Sequence, residues 1–264
     1  MDIFSLLLLG VVAGILAGLL GIGGGIVIVP VLVWIFEANP EIPAAYLMHI
    51  ALGTSLATVV TTSVSSIRSH HKRGAVQWPI VWQLIPGLII GTLLGAILAD
   101  ALSSEMLRHF FAVFILFNAV QMGLNLKPSA HRKIPGRLGM GTVGWIIGKL
   151  SALLGIGGGV LTVPFLLWCN VSARHAVATS AAVGFPIAVA GTIGFIATGW
   201  RIDGLPAWST GYIYWPVFLA IAPVSLLFAP LGAKLAHTLP VDGLKRLFAM
   251  YLMVVGIGML SGYG

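Results

Sequence analysis

The segment Leu19–Leu32 reads LLGIGGGIVIVPVL, and Leu153–Leu166 reads LLGIGGGVLTVPFL. A glycine bundle followed five residues later by proline therefore occurs twice, and the match runs well past it. Gly10, Gly14 and Gly18 recur as Gly144, Gly148 and Ala152. Thr54-Ser55 recurs as Thr179-Ser180, and Leu94-Gly95-Ala96 as Leu231-Gly232-Ala233. The repeated unit spans about Gly10–Leu124 and Gly144–Leu260. Internal repetition on this scale commits the chain to two similar halves and places any shared site where they meet.

The halves need a solvent. Hydrophobic residues are 58% of the chain and charged residues 8%, against about 25% charged in a soluble domain. Too little polar sequence remains to cover a water-exposed surface, so lipid is the expected surrounding. Each unit holds five apolar segments. In the first they are Ile3–Leu20, Gly25–Phe36, Ala44–Ile67, Trp78–Ala99 and Met106–Leu124. In the second they are Leu138–Leu154, Gly159–Cys169, His175–Gly199, Tyr212–Ala236 and Gly243–Leu260. The net charge of +7 gathers in short loops, Arg68–Arg73 and Lys127–Arg137 above all, which reads as orientation in a membrane rather than nucleic-acid binding. A single cysteine, Cys169, leaves no internal disulfide. The first apolar run belongs to the repeat and is read as retained rather than as a cleaved leader.

With the basic loops placed inside, the corresponding loops of the two units fall on opposite faces. The fold predicted is an all-α integral membrane protein of two inverted-topology repeats, residues 1–125 and 138–264, joined by a basic cytoplasmic linker at 126–137. Each repeat would contain about three transmembrane helices plus a Gly-tipped hairpin or broken helix pair, for 8–10 apolar segments in all. Gly25–Phe36 as helix is only about 18 Å long, short of a hydrocarbon core of about 30 Å. A hairpin dipping in from opposite faces in the two halves fits that length, and five full crossings per unit is the alternative. Both termini are expected outside.

Non-helical backbone at membrane depth must be buried in protein or line a wet cavity. Gly23, Gly24 and Gly25, with Gly157, Gly158 and Gly159, provide such backbone, and a short helix follows each set. The free N–H groups at a helix start suit an anion. The glycine ladders Gly10/Gly14/Gly18 and Gly87/Gly91/Gly95 read instead as close helix packing.

GIGGG followed by proline, twice in 264 residues of membrane sequence, resembles the TauE/SafE family of sulfite and organosulfonate exporters, over essentially the whole chain. The resemblance implies a bacterial-type inner-membrane carrier of small sulfur-containing anions such as sulfite or sulfoacetate, with no catalytic signature.

The polar residues fit that expectation. All seven acids fall at segment ends or in loops, which disfavours an acidic proton relay or an intramembrane aspartyl protease and suits a path for negative charge. Thr54, Ser55, Thr179 and Ser180 are candidate donors to the substrate; bonding to the preceding helical turn is the competing reading. Lys149 is the only cation in the middle of an apolar run, either lining the path or snorkelling to the surface. His49 and His175 are candidates for proton coupling, or caps at their segment starts. Pro186, opposite Thr61, is a potential kink. Trp78, Trp82, Trp200, Trp208 and Trp215 read as interfacial anchors. No HExxH or nucleophile–base arrangement appears, so no enzyme, metal or cofactor is expected. The expected partners are a small anion and the bilayer, with a homo-oligomer left open. Alternating access is the predicted mechanism, with a passive anion channel or an accessory subunit as alternatives.

Overall fold

The computed structural model of the chain describes residues 3–20, 24–124, 133–235 and 241–261. Gly23 and most of the 126–137 linker lie outside them. The described residues form ten α-helices: α1 (Ile3–Leu20), α2 (Gly25–Glu37), α3 (Leu47–His71), α4 (Trp78–Asp100), α5 (Ser104–Gly123), α6 (Arg137–Leu154), α7 (Gly159–Trp168), α8 (Ala173–Gly199), α9 (Trp215–Leu235) and α10 (Val241–Ser261). Among the described residues, α3 to α5, α8 and α9 are long and apolar enough to cross a membrane. Large side chains such as Phe4, Ile97, Phe117, Leu227 and Val254 stand exposed on the outer faces, as expected where lipid replaces water. The chain is an all-α membrane protein that passes the bilayer several times.

Helix boundaries follow local chemistry. Ser103 caps α5 by accepting the Met106 N–H at 3.2 Å, so that helix starts ahead of its apolar run. The ninth segment begins later than the sequence suggests, at Trp215 rather than Tyr212. Ile213–Tyr214 (β2) pairs antiparallel with Ser209–Thr210 (β1), and this small hairpin takes up the residues before the helix. Pro186 lies within an uninterrupted α8.

The glycine ladders are packing surfaces. Gly87, Gly91 and Gly95 of α4 lie on the backbone of Gly141, Trp145 and Lys149 in α6, while Gly144 and Gly148 of α6 lie on Leu84 and Leu88 of α4. The other half repeats this position for position: Gly10 and Gly14 of α1 meet Ile221 and Ser225 of α9, and Gly232 meets Ile15. Lipid supplies little hydrophobic drive between helices, so close backbone approach of this kind is a main source of stability.

Exchanging the halves maps the principal helix contacts onto one another: α4–α6 onto α9–α1, α4–α8 onto α9–α3, and α2–α3 onto α7–α8. The α3–α8 and α5–α10 pairs map onto themselves, and both run antiparallel. Gly184 of α8 lies against Ser63 and Gly191 against Leu56; Arg108 of α5 reaches Met259, while Leu116 meets Gly256. The centre belongs to α3 and α8. Within their apolar windows 72% and 56% of residues are buried, against 33% for α5 and α9.

Candidate functional site

Both glycine bundles end in the same backbone device. Gly24 caps α2 at φ 78°, ψ −15°, and Gly158 caps α7 at φ 74°, ψ −9°. This left-handed region favours glycine. The carbonyl of Gly24 accepts from Val27 and Ile28, and that of Gly158 from Leu161 and Thr162. Only the first two N–H groups of each helix, those of Gly25 and Ile26 and those of Gly159 and Val160, lie beyond reach of a carbonyl in their own helix.

The two turns start in the interior. Gly24 lies beside the Ala13 carbonyl, midway along α1, and Gly158 beside Ile187 of α8 and Ser151 and Ile147 of α6. The turns also meet each other. A Cβ at Gly25 would overlap the Gly155 carbonyl oxygen and lie 2.9 Å from Ile156 Cα and 3.1 Å from Ser55 Oγ. Ser55 Oγ donates to Gly155 O at 2.8 Å, tying α3 to the opposite half. Gly184 of α8 faces the Gly157 carbonyl. Gly24, Gly25, Gly157, Gly158 and Gly159 are all buried. Gly23 lies outside the described residues.

The two threonines of the Thr-Ser pairs act as matched pins. Thr54 Oγ1 accepts the N–H of Tyr214, immediately before α9, at 3.0 Å. Thr179 Oγ1 accepts that of Gln77, immediately before α4, at 3.1 Å. Each half thus fixes the start of a long helix in the other, a use of these hydroxyls that no sequence pattern announced. Ser180 donates to Val177 O at 2.8 Å. Thr58, Thr61 and Thr62 bond carbonyls of their own helix.

Three other candidates lie on different surroundings. The Lys149 ammonium sits 5.3 Å from the centre of the Trp145 ring, on the α6 face that carries exposed Trp145 and Ile146. His49 is buried, with Nε2 3.0 Å from Ala99 O and 3.1 Å from Leu102 O. Carbonyls only accept, so Nε2 carries a proton, and Nδ1 has no partner. The ring stacks on Tyr212 at 5.0 Å, and Tyr212 donates to Asp100 at 2.7 Å. His175 is half-buried and its Nδ1 donates to Ala75 O at 2.9 Å. The two histidines therefore hold opposite ends of α4. They are also out of register: His49 stands five residues before Thr54, His175 four before Thr179.

Some polar groups escaped the sequence reading. Glu37 at the end of α2 pairs with Arg108 of α5 at 2.7 Å, and Arg108 Nε also donates to Met259 O of α10. Ser151 and Thr162 flank Gly158 with fully buried hydroxyls that have no partner. The signal for both was present as a mismatch between repeats, since Ala17 and Ile28 hold the matching places.

Residues 6–259 match the family described as "Sulfite exporter TauE/SafE". A "Probable membrane transporter protein" of Haemophilus influenzae is 38% identical over 254 residues, covering 96% of this chain and 96% of that protein. "Probable membrane transporter protein MJ0441" of Methanocaldococcus jannaschii is 30% identical, covering 97% and 94%. "Probable membrane transporter protein YdhB" of Bacillus subtilis is 26% identical, covering 94% and 96%. No solved structure matches the chain.

Proposed function

We propose that this chain, which belongs to the Sulfite exporter TauE/SafE family of membrane transporters, moves a small anion across the inner membrane by alternating access. The anion class we favour is a sulfur oxyanion or organosulfonate such as sulfite or sulfoacetate. The observation that carries this reading is the meeting of two interior glycine turns, each opening a helix whose first N–H groups have no carbonyl of their own helix to bond. Such backbone favours negative charge without placing a cation in the membrane. The burial of both turns corresponds to a conformation closed to both sides. The antiparallel packing of α3 on α8 and α5 on α10 supports inverted repeats, with both termini outside and the 126–137 linker inside.

Energetics favour export without a coupling ion. An inside-negative potential drives an anion outward by roughly 2.3 kcal/mol per charge per 100 mV. His49, buried with an unpartnered Nδ1, is the stronger of the two histidines for proton coupling.

The test is uptake of labelled sulfite, sulfoacetate and sulfate into liposomes containing the purified chain, under an imposed potential. Saturable flux that counter-transports, and that collapses when Gly24 or Gly158 is made bulky in chains that still fold, supports an anion carrier. Non-saturating flux would make it a channel, and no flux of any anion would overturn the reading.

A further inference from the structure

Several hydroxyls in these helices donate to a carbonyl three or four residues back, as do Thr58, Thr62, Thr192 and Ser225. Ser151 and Thr162 do not. Both are fully buried, and neither Ser151 Oγ nor Thr162 Oγ1 has a hydrogen-bond partner. An orphaned buried hydroxyl is unfavourable and calls for an explanation. The two stand on either side of one backbone feature. Ser151 Oγ lies 3.3 Å from where a Cβ on Gly158 would be, next after the Cδ1 methyl of Ile187 on α8, whose side chain must turn aside for a ligand to enter. Thr162 is in the first turn of α7, its N–H bonded to Gly158 O at 2.8 Å, and helical side chains lean toward the N-terminus. Thr92 of α4 adds a third partnerless buried hydroxyl, 2.8 Å from the Cβ position of Gly148, one turn before Ser151.

The pseudo-symmetric counterparts carry no hydroxyl: Ser151, Thr162 and Thr92 correspond to Ala17, Ile28 and Ala229, each apolar and buried. The pseudo-symmetry that holds through the helix contacts and the glycine caps breaks at these hydroxyls.

We propose that the transported anion binds one turn only, the second. There the N–H groups of Gly159 and Val160 and the hydroxyls of Ser151 and Thr162 donate to its oxygens, with Thr92 placed to receive it one turn along α6. The first turn is the structural counterpart: Gly25 packs on Gly155, and the hydroxyl beside it, Ser55, is already spent on the Gly155 carbonyl. This rests on the anion reading above and adds which turn holds the ligand and through which groups. An all-neutral donor set matches an oxyanion with three acceptor oxygens, as on a sulfite or sulfonate head, better than a halide.

Isothermal titration of the purified chain in detergent with sodium sulfite and with sulfoacetate tests it, using chloride as the comparison. Wild type should bind one anion per chain, more tightly than chloride. Ser151→Ala with Thr162→Val should weaken binding at least ten-fold, whereas Ser151→Thr and Thr162→Ser, which keep the hydroxyls, should stay within three-fold. Should the double apolar variant fail to fold, stoichiometry and the single Ser151→Ala variant decide, the latter expected to lose three-fold or more. Two equivalent anions per chain, or unchanged affinity in the apolar variants, would overturn the one-turn site while leaving the anion reading standing. No binding of either sulfur anion by wild type, together with absent flux, would overturn both.

Discussion

Replacing Thr54 with valine keeps the shape of the side chain and deletes the acceptor for the Tyr214 N–H. Tyr214, which owns that N–H, is only 5% exposed, so no water can take over. An orphaned buried donor costs roughly 1–3 kcal/mol. Hydrogen bonds between membrane helices are worth less, about 0.6 kcal/mol on average and up to about 1.7, which narrows the expectation to about 1–2 kcal/mol. A chain of this size changes its melting temperature by roughly 2–4 °C per kcal/mol. Thr54→Val should therefore melt about 2–8 °C below wild type in detergent. Thr179→Val breaks the matched bond to Gln77, but Gln77 is half-buried, and solvent can replace the lost partner. Its shift should be under about half as large. The assay is thermal unfolding followed by intrinsic tryptophan fluorescence, with liposome flux measured on the same preparations. Equal shifts, or a larger one at Thr179, would refute the argument from burial. An unshifted melting curve at Thr54 with lost flux would mean that its hydroxyl serves the substrate rather than α9.

Four further outcomes follow from the same geometry. Gly91→Val drives a side chain into the Trp145 backbone and should abolish recovery of folded protein, whereas Gly141→Ala, whose Cβ meets nothing within 4 Å, should raise stability by up to about 1 kcal/mol; size-exclusion profiles and melting curves separate the two. Arg108→Gln strands the Glu37 carboxylate, in a pair whose side chains are only 20% and 16% exposed. A loss of roughly 1–3 kcal/mol is expected, between the exposed and buried cases, and adding Glu37→Gln should recover part of it. Burial, then the hydrogen bond to Asp100, raises the Tyr212 phenol above its ordinary 10.0, so the folded chain holds that proton longer than the unfolded one. That contribution is complete below about pH 10 and declines above it; melting temperatures between pH 8 and 11 should show the decline in wild type and a flatter profile in Tyr212→Phe. Ser55→Ala removes the 2.8 Å bond that ties α3 to Gly155 and should slow flux more than it lowers the melting temperature.

The fold was legible because its rules are periodic. Glycine every four residues in α1, α4 and α6 marks faces where backbones touch, and the structure pairs those faces. The start of α4 was legible at Trp78-Pro79, whereas α5 starts at Ser104 behind its Ser103 cap, ahead of the apolar run that begins at Met106. The small hairpin before α9 was not, since Tyr212-Ile213-Tyr214 is as apolar as the helix it precedes. The two helix-opening turns were legible as backbone: αL glycines at Gly24 and Gly158 are what a GGG run permits. Side-chain roles were harder, because a threonine in a membrane helix reads the same whether it bonds its own helix, as Thr58 does, or another half, as Thr54 does. The Glu37–Arg108 pair joins residues 71 apart in sequence, and nothing local to either announces the other.

The pattern of contacts also restricts how such a chain can move. α1 packs on α9 and α4 on α6, each pair drawn from opposite halves and pressed backbone to backbone at glycine. Sliding either pair would drive carbonyls into Cα atoms, so each should travel as a rigid unit. Independent rocking of residues 1–125 against 138–264 would have to tear both apart. The short helices are held differently: α2 packs chiefly on α3, and α7 on α8. Opening of the glycine turns therefore calls for displacement of α2 and α7 against a fixed frame of long helices. The two displacements differ in cost, because Glu37 anchors the end of α2 to Arg108 while the corresponding place after α7 holds apolar Val171. Release at α7 should then be the easier step if the turns open at all, and α7 is the helix whose first turn carries Thr162. Cross-linking α7 to α8 should then arrest flux, and a cross-link between α4 and α6 should leave it intact; the reverse result would place the motion in the frame instead.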